Sequence, residues 1–372
     1  MKIVVATDSF KGTLSSLDIC HLFTDALKDR NDVDLVCLPL ADGGEGSLEC
    51  VSTIKEGKYI DVTATDLYFN KIKTHFYIDK DNNAYIESCS CVGMSLVGKD
   101  NDPGKVTTYG LGEQIKEAIK LGANNIYIFL GGTASNDGGC GLASTLGTRF
   151  FNKDNEVFIP TGLTLKDIVR IDNSECEKTL KNIRITGLID VKSPFFGISG
   201  AAYKYAKQKG ASDKEVELLD EGLRHLSSVM FKDLRTDISL LPGAGAAGGL
   251  GGGLYSFCNA SLSSGINTIL DLIDFDKAIK DADMVVTGEG KLDRQTLDGK
   301  VIDGVAKRCE KYHVPLNIIV GMSELSIEEV KHIYPSVVHL YETNNNHLPF
   351  DEIKDKTRED YNKIINRMIN EL

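Results

Sequence analysis

The stretch MVVTGEGKLDRQTLDGKVIDGVAKRCEKYHVPLNIIV, residues 284 to 320, decides the fold of this 372-residue chain. It opens on the apolar run MVVT (284–287) and ends on a second one, LNIIV (316–320), with the helical pattern VIDGVAKRCEKYH (301–313) between them. Short apolar runs without strict alternation are typical of strands buried on both faces, and the helical segment has apolar positions at three- and four-residue spacing. Strand, helix and strand in this order predict a parallel sheet.

Apolar runs and helical periodicity of the same kind occur elsewhere in the chain. Further apolar runs, which we also interpret as strands, are KIVVA (2–6), VDLVCLPL (33–40), NIYIFL (125–130), IRITGLI (183–189) and VVHLY (337–341). Helical periodicity is found at 17–29 and 111–122. The segment 58–98 differs, because its β-rich pieces are joined by turn residues such as Asp81-Asn82-Asn83, which predicts an antiparallel meander.

The length favours two domains, at roughly 150 residues per domain. Since α/β units occur before the meander and again from 284 onward, we expect the second domain to be inserted into the first. The predicted class is α/β, with a Rossmann/flavodoxin-like parallel-sheet domain, discontinuous in sequence, and an inserted mixed-sheet domain. The predicted ranges are 1–57, 106–147 and 275–372 for the first domain, and 58–105 and 148–274 for the second, with the active site in the cleft between them.

Composition excludes several classes of function. The net charge is −12 and no cluster of Lys and Arg is long enough to follow a nucleic-acid backbone, so no nucleic-acid partner is expected. The nine cysteines are odd in number and never spaced C-x-x-C, which argues against a disulfide framework or a zinc site and for a reducing cytoplasm. No apolar run approaches the length of a membrane span, so no membrane partner is expected either.

Glycine is clustered just beyond the apolar runs, at positions that we interpret as the carboxyl ends of strands. In open α/β sheets, the loops at these ends form the ligand crevice, because helix N-termini and free backbone amides converge there. Several glycine-rich loops of one kind therefore predict one site.

The loop TDSFKGTLSS (7–16) follows the first predicted strand and carries Asp8, Ser9 and Lys11. Ser15 or Ser16 could cap the following helix, whereas the carboxylate, hydroxyl and ammonium before them suit an anion or its metal. Asp and Ser are also ordinary turn residues, so a turn and a site are both open at this position.

The loop PLADGGEGSLE (39–49) follows the second predicted strand. Asp42 and Glu45 bracket Gly43 and Gly44, and adjacent glycines allow positive φ angles and close approach of a ligand to backbone amides. The alternative is a plain turn in which Glu45 favours the start of a helix.

Two further glycine-rich loops carry weaker signals. Asn136 and Asp137 lie in GGTASNDGGCG (131–141), whose amides and small hydroxyls could cradle a phosphate. PGAGAAGGLGGG (242–253) matches the dinucleotide pattern G-x-G-x-x-G, but no firm strand precedes it and no acidic residue follows at the required spacing. We favour a helix rich in glycine and alanine that packs closely on another element, or a wall lined by backbone amides.

The loop within the opening stretch has the densest charge. It lacks the Walker form G-x-x-x-x-G-K-[ST], so any phosphate binding is of another kind. Its lysines can neutralise phosphate oxygens and its carboxylates can hold Mg²⁺. The candidates here are Gly288, Glu289, Lys291, Asp293, Gln295 and Lys300, and Asp190 adds one more carboxylate at a predicted strand end.

This inventory of carboxylates, lysines, hydroxyls and amides fits phosphoryl transfer. That reaction depends on positioning, charge neutralisation and one weak base rather than on a covalent group. No histidine has ligand spacing and no G-x-S-x-G elbow is present, so acyl transfer lacks a nucleophile with its base. The acceptor is expected to be a small hydroxylated molecule.

Taken together and in order, the loops resemble the bacterial glycerate kinase family, of the type that makes 2-phosphoglycerate. The resemblance covers residues 1 to about 340 and is carried by DSFKGTLSS, LADGGEG, TTYGLGE, GG-x-A-x-ND-GG, QKGA, GAGAAGG, SSGI and TGEGKLDRQT. It implies an enzyme that phosphorylates D-glycerate with ATP and Mg²⁺, on two α/β domains of which one is inserted in the other.

On this basis we assign roles within the site. The catalytic candidates are Asp8, Lys11, Asp42, Asp190 and Lys291, with Asp8 or Asp42 as the base for the hydroxyl proton. The candidates for binding substrate or phosphate are Ser9, Gly43, Gly44, Glu45, Asn136, Asp137, Gly288, Gln295 and Lys300, and those for metal are Glu289 and Asp293. Three alternatives stay open: another small hydroxy acid as substrate, the 3-phosphate as product, and a non-catalytic metabolite-binding protein. D-glycerate and ATP are the expected partners, and a homodimer is open.

Overall fold

The computed structural model describes residues 1–98, 101–294 and 296–371. Within them the strands are β1 (Lys2–Val5), β2 (Asp34–Cys37), β3 (Gly57–Thr65), β4 (Lys71–Asp79), β5 (Asn83–Glu87), β6 (Asn125–Phe129), β7 (Arg149–Phe151), β8 (Val157–Phe158), β9 (Arg170–Asp172), β10 (Arg184–Ile189), β11 (Ser261–Ser264), β12 (Met284–Leu292), β13 (Leu316–Ser323) and β14 (Val337–Glu342). The α-helices are α1 (Ser16–Leu27), α2 (Ser47–Ile54), α3 (Cys89–Val92), α4 (Tyr109–Lys120), α5 (Cys140–Leu146), α6 (Ser174–Thr179), α7 (Asp213–Leu234), α8 (Ala246–Cys258), α9 (Gly265–Leu272), α10 (Phe275–Ile279), α11 (Val301–Tyr312), α12 (Ile327–Ile333), α13 (Phe350–Ile353) and α14 (Thr357–Asn370). Among these described residues, no helix combines the length and apolar character needed to cross a bilayer.

The chain divides into two compact units. Unit 1 comprises 1–42, 49–54 and 265–372, and unit 2 comprises 43–48 and 55–264. Each unit has its own hydrophobic core: that of unit 1 includes Phe23 and Tyr361, and that of unit 2 includes Phe76, Phe150 and Phe257. The two α/β units confirm the predicted fold class.

Unit 1 is built on a parallel sheet with the strand order β14-β13-β12-β1-β2. The central strands β1, β12 and β13 are buried over most of their length, which explains their apolar runs without alternation. The stretch that predicted strand, helix and strand forms β12, α11 and β13, and these two strands pair in parallel. The prediction of a parallel sheet from this stretch is confirmed.

Strand β12 is longer than predicted. MVVT alone was expected to be extended, with the charged loop beginning at Gly288, whereas β12 continues to Leu292. The sheet register carries the strand onward, because Glu289 pairs with Val320 and Lys291 with Met322 on β13. The five residues from Gly288 to Leu292, which were expected in a loop, therefore lie on a strand.

Unit 2 contains a mixed sheet with the order β11-β10-β6-β5-β4-β3 and a small antiparallel sheet β8-β7-β9. Strands β3, β4 and β5 pair antiparallel, which confirms the predicted meander, and β5, β6, β10 and β11 pair in parallel. Helix α8 runs through the glycine-rich segment, with left-handed backbone at Ala247, Gly248 and Gly249.

The predicted domain ranges differ from the two units at 43–48, 55–57, 106–147 and 265–274. Residues 106–147 were assigned to the first domain, but they belong to unit 2, because β6 is hydrogen-bonded between β5 and β10. Residues 265–274 were assigned to the inserted domain, but they belong to unit 1, where α9 packs against α11. An apolar run predicts a strand without indicating the sheet that it joins.

Serine caps start several of the helices. Ser15 accepts a hydrogen bond from the Asp18 backbone N–H at 3.0 Å, and Asp18 accepts one in return from the Ser15 backbone N–H, so Ser15 caps α1. Ser212 and Ser326 form the same reciprocal box at the starts of α7 and α12. Each box satisfies two backbone N–H groups that the first helical turn leaves free.

Candidate active site

A cavity of about 330 Å³ opens at the carboxyl edge of the parallel sheet in unit 1. Its lining includes Asp8, Ser9, Lys11, Asp42, Glu289, Lys291, Asp293 and Lys300. All eight were predicted from strand-end loops that are up to 292 positions apart in the sequence. The fold of unit 1 therefore brings together residues from three of the predicted loops.

The strand order explains this convergence. From β1 the chain proceeds to β2 on one side, whereas β12, β13 and β14 follow one another on the other side. The order therefore reverses between the neighbours β1 and β12, and such a switch point opens a crevice in a parallel sheet. Asp8 follows β1 and Glu289 lies on β12, and the Asp8 backbone N–H donates to the Gly288 carbonyl at 2.9 Å.

Three buried carboxylates belong to the lining of the cavity. Asp8, Asp42 and Glu289 are 5%, 6% and 6% exposed. Burial and the neighbouring Asp42 carboxylate raise the pKa of Asp8 to about 7, although the Ser9 backbone N–H donates to Asp8 Oδ1 at 2.6 Å. Burial raises the pKa of Glu289 to about 8, against the opposing effect of the Lys300 ammonium. Near neutral pH this cluster holds protons that an exposed cluster would have lost.

Three lysines line the same cavity. Lys291 Nζ lies 2.6 Å from Glu324 Oε1 and 3.5 Å from Asp293 Oδ2. Lys300 is half-buried at the N-cap of α11, and Lys11 is exposed in the loop after β1, where its charge lowers the pKa of Asp8. Three ammonium groups in one cavity suit a multiply charged anion.

Thr296 shapes the loop between β12 and α11. Its backbone N–H donates to Asp293 Oδ1 at 3.2 Å, and its hydroxyl donates to the Lys291 carbonyl at 3.2 Å. Gly299, with φ of +111°, then turns the chain so that Lys300 can begin the helix. The loop holds Asp293 and Lys300 at the cavity through its own backbone.

The carboxylates fit a magnesium ion that is shared with phosphates. Within the described residues, no group of three or more His, Cys, Asp or Glu side chains is arranged to hold a metal by itself. Mg²⁺, however, commonly takes one or two carboxylates and completes its shell with water and substrate phosphates. Glu289 Oε1 is buried and has no hydrogen-bond partner among the residues described, which leaves it available as such a ligand.

Sequence reasoning missed several residues of the lining, which are Phe10, Thr13, Gly290, Gly321, Thr343, Phe350, Ile353 and Thr357. The strand-end rule could have found Gly321 and Thr343, because they lie at the ends of β13 and β14. It could not have found the last three, since α13 and α14 come after the last strand and reach the cavity only through the tertiary fold.

The other predicted loop residues, apart from Gly288 and Gln295, lie in unit 2. Gly43 and Gly44 are buried and Glu45 is exposed in the segment before α2, where the Ser47 hydroxyl donates to the Gly44 carbonyl at 2.7 Å. Asp190 is half-buried directly after β10. Gln295 lies outside the described residues, and Gly288, in unit 1, is buried in β12.

Asn136 and Asp137 are fully buried in unit 2. The Asp137 carboxylate accepts hydrogen bonds from the backbone N–H groups of Thr108, Gly139 and Gly141, at 2.8 to 3.2 Å, and from the Thr108 hydroxyl. These bonds fasten the loop to the start of α5. Both amide atoms of Asn136 lack a hydrogen-bond partner in the part of the chain that the structure describes. The assignment of these two residues to substrate stays a prediction.

Lys209 is a buried lysine near this loop that the sequence did not single out. Its Nζ donates to the Ser135 carbonyl at 2.7 Å, and burial lowers its pKa to about 7. Asn101 Nδ2 donates to the Lys209 carbonyl at 2.6 Å. The motif QKGA thus supplies an amine that ties the loop before Asn136 to the rest of unit 2.

Comparison with known proteins gives a consistent result. The profile of the glycerate kinase family matches residues 3–372 of this chain. A glycerate kinase from Bacillus cereus (strain ATCC 10987 / NRS 248) is 39% identical over 326 residues, which cover 86% of this chain and 85% of that protein. A glycerate 2-kinase from Escherichia coli (strain K12) is 36% identical over 324 residues, which cover 86% of this chain and 85% of that protein.

The fold has a close match among solved structures. The crystal structure of a protein from Salmonella typhimurium LT2, described as a candidate glycerate kinase 2, superposes with a TM-score of 0.84. It is 32% identical in sequence, and the match covers 99% of this chain and 97% of that one. The similarity therefore covers the residues of both units.

Proposed function

The chain belongs to the glycerate kinase family, and on that premise we propose that it transfers the γ-phosphoryl group of ATP to D-glycerate and forms 2-phosphoglycerate. The observation that carries the proposal is the cavity in unit 1, where Asp8, Asp42 and Glu289 meet Lys11, Lys291 and Lys300. Phosphoryl transfer needs charge neutralisation and one positioned base, and both are present.

The buried carboxylates supply the base. A glycerate hydroxyl oxygen attacks the γ-phosphorus, its proton passes to a carboxylate, and the bond from the γ-phosphorus to the bridging oxygen of ADP breaks. Asp8 and Asp42 are the candidates, and a pKa of about 7 makes Asp8 a better proton acceptor than an exposed carboxylate at neutral pH. The hydrogen bond from its backbone N–H to Gly288 fixes the position of Asp8 against β12.

The lysines neutralise the anionic groups of both substrates. Lys291 and Lys300 would compensate the charge on the phosphates, and Lys11 with Ser9 would bind the glycerate carboxylate or a phosphate. Lys291 is held by Glu324 and Asp293, so its ammonium is positioned before substrate arrives.

Mg²⁺ is part of the proposal. Glu289 would hold it through the unpartnered Oε1 atom, with Asp293 as the second candidate ligand. When bound, the ion neutralises phosphate oxygens and orients the phosphate chain.

The predicted residues of unit 2 stay proposed contacts of the substrates, which are Asp190, Gly43, Gly44, Glu45, Asn136 and Asp137. We place the reaction in the cytoplasm, in agreement with nine cysteines that are free thiols.

A coupled assay of ADP release tests the activity. D-glycerate is offered beside a panel of small hydroxy acids, and we expect turnover with D-glycerate and Mg²⁺. Turnover with a different acid only would replace the substrate, and nucleotide binding without turnover of any acid would favour a non-catalytic protein.

Phosphorus NMR of the product tests the regiochemistry. A phosphate on the secondary carbon gives a different proton-coupling pattern from one on the terminal carbon. A doublet from the single proton on C2 is expected, and a triplet from the two protons on C3 would assign the 3-phosphate instead.

A further inference from the structure

The segment after β14 contributes apolar side chains to a cavity that is otherwise largely charged. Phe350 and Ile353 of α13 line it together with the carboxylates and lysines described above. Phe350 is 50% exposed, which is unusual for a large aromatic side chain at a site rich in ions. An exposed apolar surface inside a binding cavity marks a part that receives an apolar portion of a ligand.

The Phe350 ring lies against the turn that carries Lys11. A Cβ atom at Gly12 would come within 2.9 Å of Phe350 Cζ, and Gly12 has a φ of +81°. Glycine therefore serves two purposes here, since it allows the turn and leaves room for the ring. The ring is in contact with the backbone of the loop that presents Ser9 and Lys11.

Hydrogen bonds hold the chain in place immediately before and after α13. Before it, Asn344 is buried, its side chain bonds the Leu348 backbone at 2.9 Å twice, and its backbone N–H donates to the Gly321 carbonyl at 2.8 Å. After it, the Thr357 hydroxyl donates to the Ile353 carbonyl at 3.0 Å. Helix α14 then anchors the segment in the core of unit 1 through Tyr361, which packs edge-on against Phe10 at 5.2 Å.

We propose that Phe350 and Ile353 form the subsite for the nucleotide base, an inference that rests on the proposed kinase function. Glycerate is a three-carbon hydroxy acid without an apolar group, and the phosphates are matched by the lysines. The planar base is the portion of the two substrates that gains from an aromatic face and an aliphatic side chain. Stacking on an aromatic ring is a general way in which proteins hold bases.

A second hollow in unit 1 is the alternative position for the base. It measures about 620 Å³, and its lining includes Arg294, Leu297 and Ile333 together with the carboxylates Glu328 and Glu329. Among the described residues, the lining of this hollow contains no lysine that could neutralise the phosphates of a nucleotide. Phe350 and Ile353 share a cavity with three lysines, which favours them as the base subsite.

Calorimetric titration of the full-length chain tests the assignment. ADP, adenosine and inorganic tripolyphosphate are each titrated into the parent and into Phe350→Ala, Phe350→Trp and Ile333→Ala. We expect Phe350→Ala to weaken the binding of ADP and of adenosine by about 10- to 100-fold. The affinity for tripolyphosphate should stay within about twofold of that of the parent. Phe350→Trp should retain ADP, since it keeps an aromatic face, and Ile333→Ala should bind it like the parent.

Three results would overturn the inference: unchanged ADP affinity in Phe350→Ala, equal weakening of ADP and tripolyphosphate, or loss of ADP binding in Ile333→Ala. The second would show that the ring acts only through the Lys11 turn. If the parent binds ADP but forms no ADP from ATP when D-glycerate is offered, D-glycerate is not the acceptor, and the assignment of the base subsite is unaffected. A parent chain that binds no ADP would overturn both.

Discussion

At the scale of single residues, the buried carboxylates couple stability to pH. Asp8 and Glu289 have pKa values of about 7 and about 8, well above those of exposed carboxylates. Between about pH 4 and pH 8 the folded chain then binds more protons than the unfolded chain, so the free energy of unfolding falls as the pH rises. This direction is opposite to that of a carboxylate in a salt bridge.

Neutral amides in place of these two carboxyl groups should remove the fall in the free energy of unfolding between about pH 4 and pH 8. We expect Asp8→Asn and Glu289→Gln each to raise the free energy of unfolding at pH 8 by about 1 to 3 kcal/mol, with little difference from the parent at pH 4. Chemical denaturation at a series of pH values measures this. Glu328→Gln, at an exposed carboxylate of α12, is the control, and a destabilised Glu289→Gln at pH 8 would contradict the prediction.

Lys291 is expected to act on the transition state rather than on stability. Its side chain is exposed and its ion pairs are with Glu324 and Asp293, so Lys291→Met should leave the melting temperature nearly unchanged. The rate constant kcat should fall by about 100-fold or more if the ammonium neutralises charge on the transferred phosphoryl group. Steady-state kinetics measure this against Lys311→Met, which removes an exposed lysine of α11 paired with Asp276. Equal kinetics for the two variants would refute the role of Lys291.

The sequence predicted the charged residues of the cavity better than its apolar ones. Asp8, Asp42 and Glu289 could be found because each lies at or beyond the carboxyl end of an apolar run, where a parallel sheet exposes its loops. Phe350 and Ile353 carry no such signal. An apolar residue in a short helix is indistinguishable from a core residue until the tertiary contacts are known.

At the scale of elements, the glycine at position 288 allows β12 to pair closely with β13. A Cβ atom at Gly288 would lie 1.9 Å from the Ile319 carbonyl oxygen, so Gly288→Ala must push the two strands apart. We expect a loss of about 1 to 3 kcal/mol in the free energy of unfolding. Gly290→Ala, two positions along the same strand, is the matched control, because its nearest neighbours would be 3.8 Å away. Thermal and urea denaturation distinguish the two, and equal stability would disprove the steric argument.

Element types were predictable where local chemistry decides them. Ser15 with Asp18 marks the start of α1, and continuous apolar runs mark β1 and β13. The end of β12 was not predictable. Pairing with β13 extends that strand through GEGKL, and no local signal indicates that glycine and charged residues will be hydrogen-bonded to a neighbour.

At the scale of the whole molecule, the sequence indicated two α/β domains but misplaced part of the chain between them. The run NIYIFL resembles the strands of either sheet in composition, and only its hydrogen bonds to β5 and β10 assign β6 to unit 2. Pairing over long sequence separation is a property of the assembled sheet. The division into units could therefore be read only from the tertiary structure.

This division predicts which fragment folds. Residues 43–264 contain all of unit 2, with both of its sheets and a continuous hydrophobic core, so the fragment should fold independently and unfold in one cooperative thermal transition. Residues 43–124 keep the meander but stop before β6, which leaves β5 unpaired on one side, and this shorter control should show no cooperative transition. Near-ultraviolet circular dichroism during heating distinguishes the two. If the longer fragment melted without cooperativity while the full chain remained folded, unit 2 would need unit 1 for its stability, and the assignment of 106–147 to an independent inserted core would have to be abandoned.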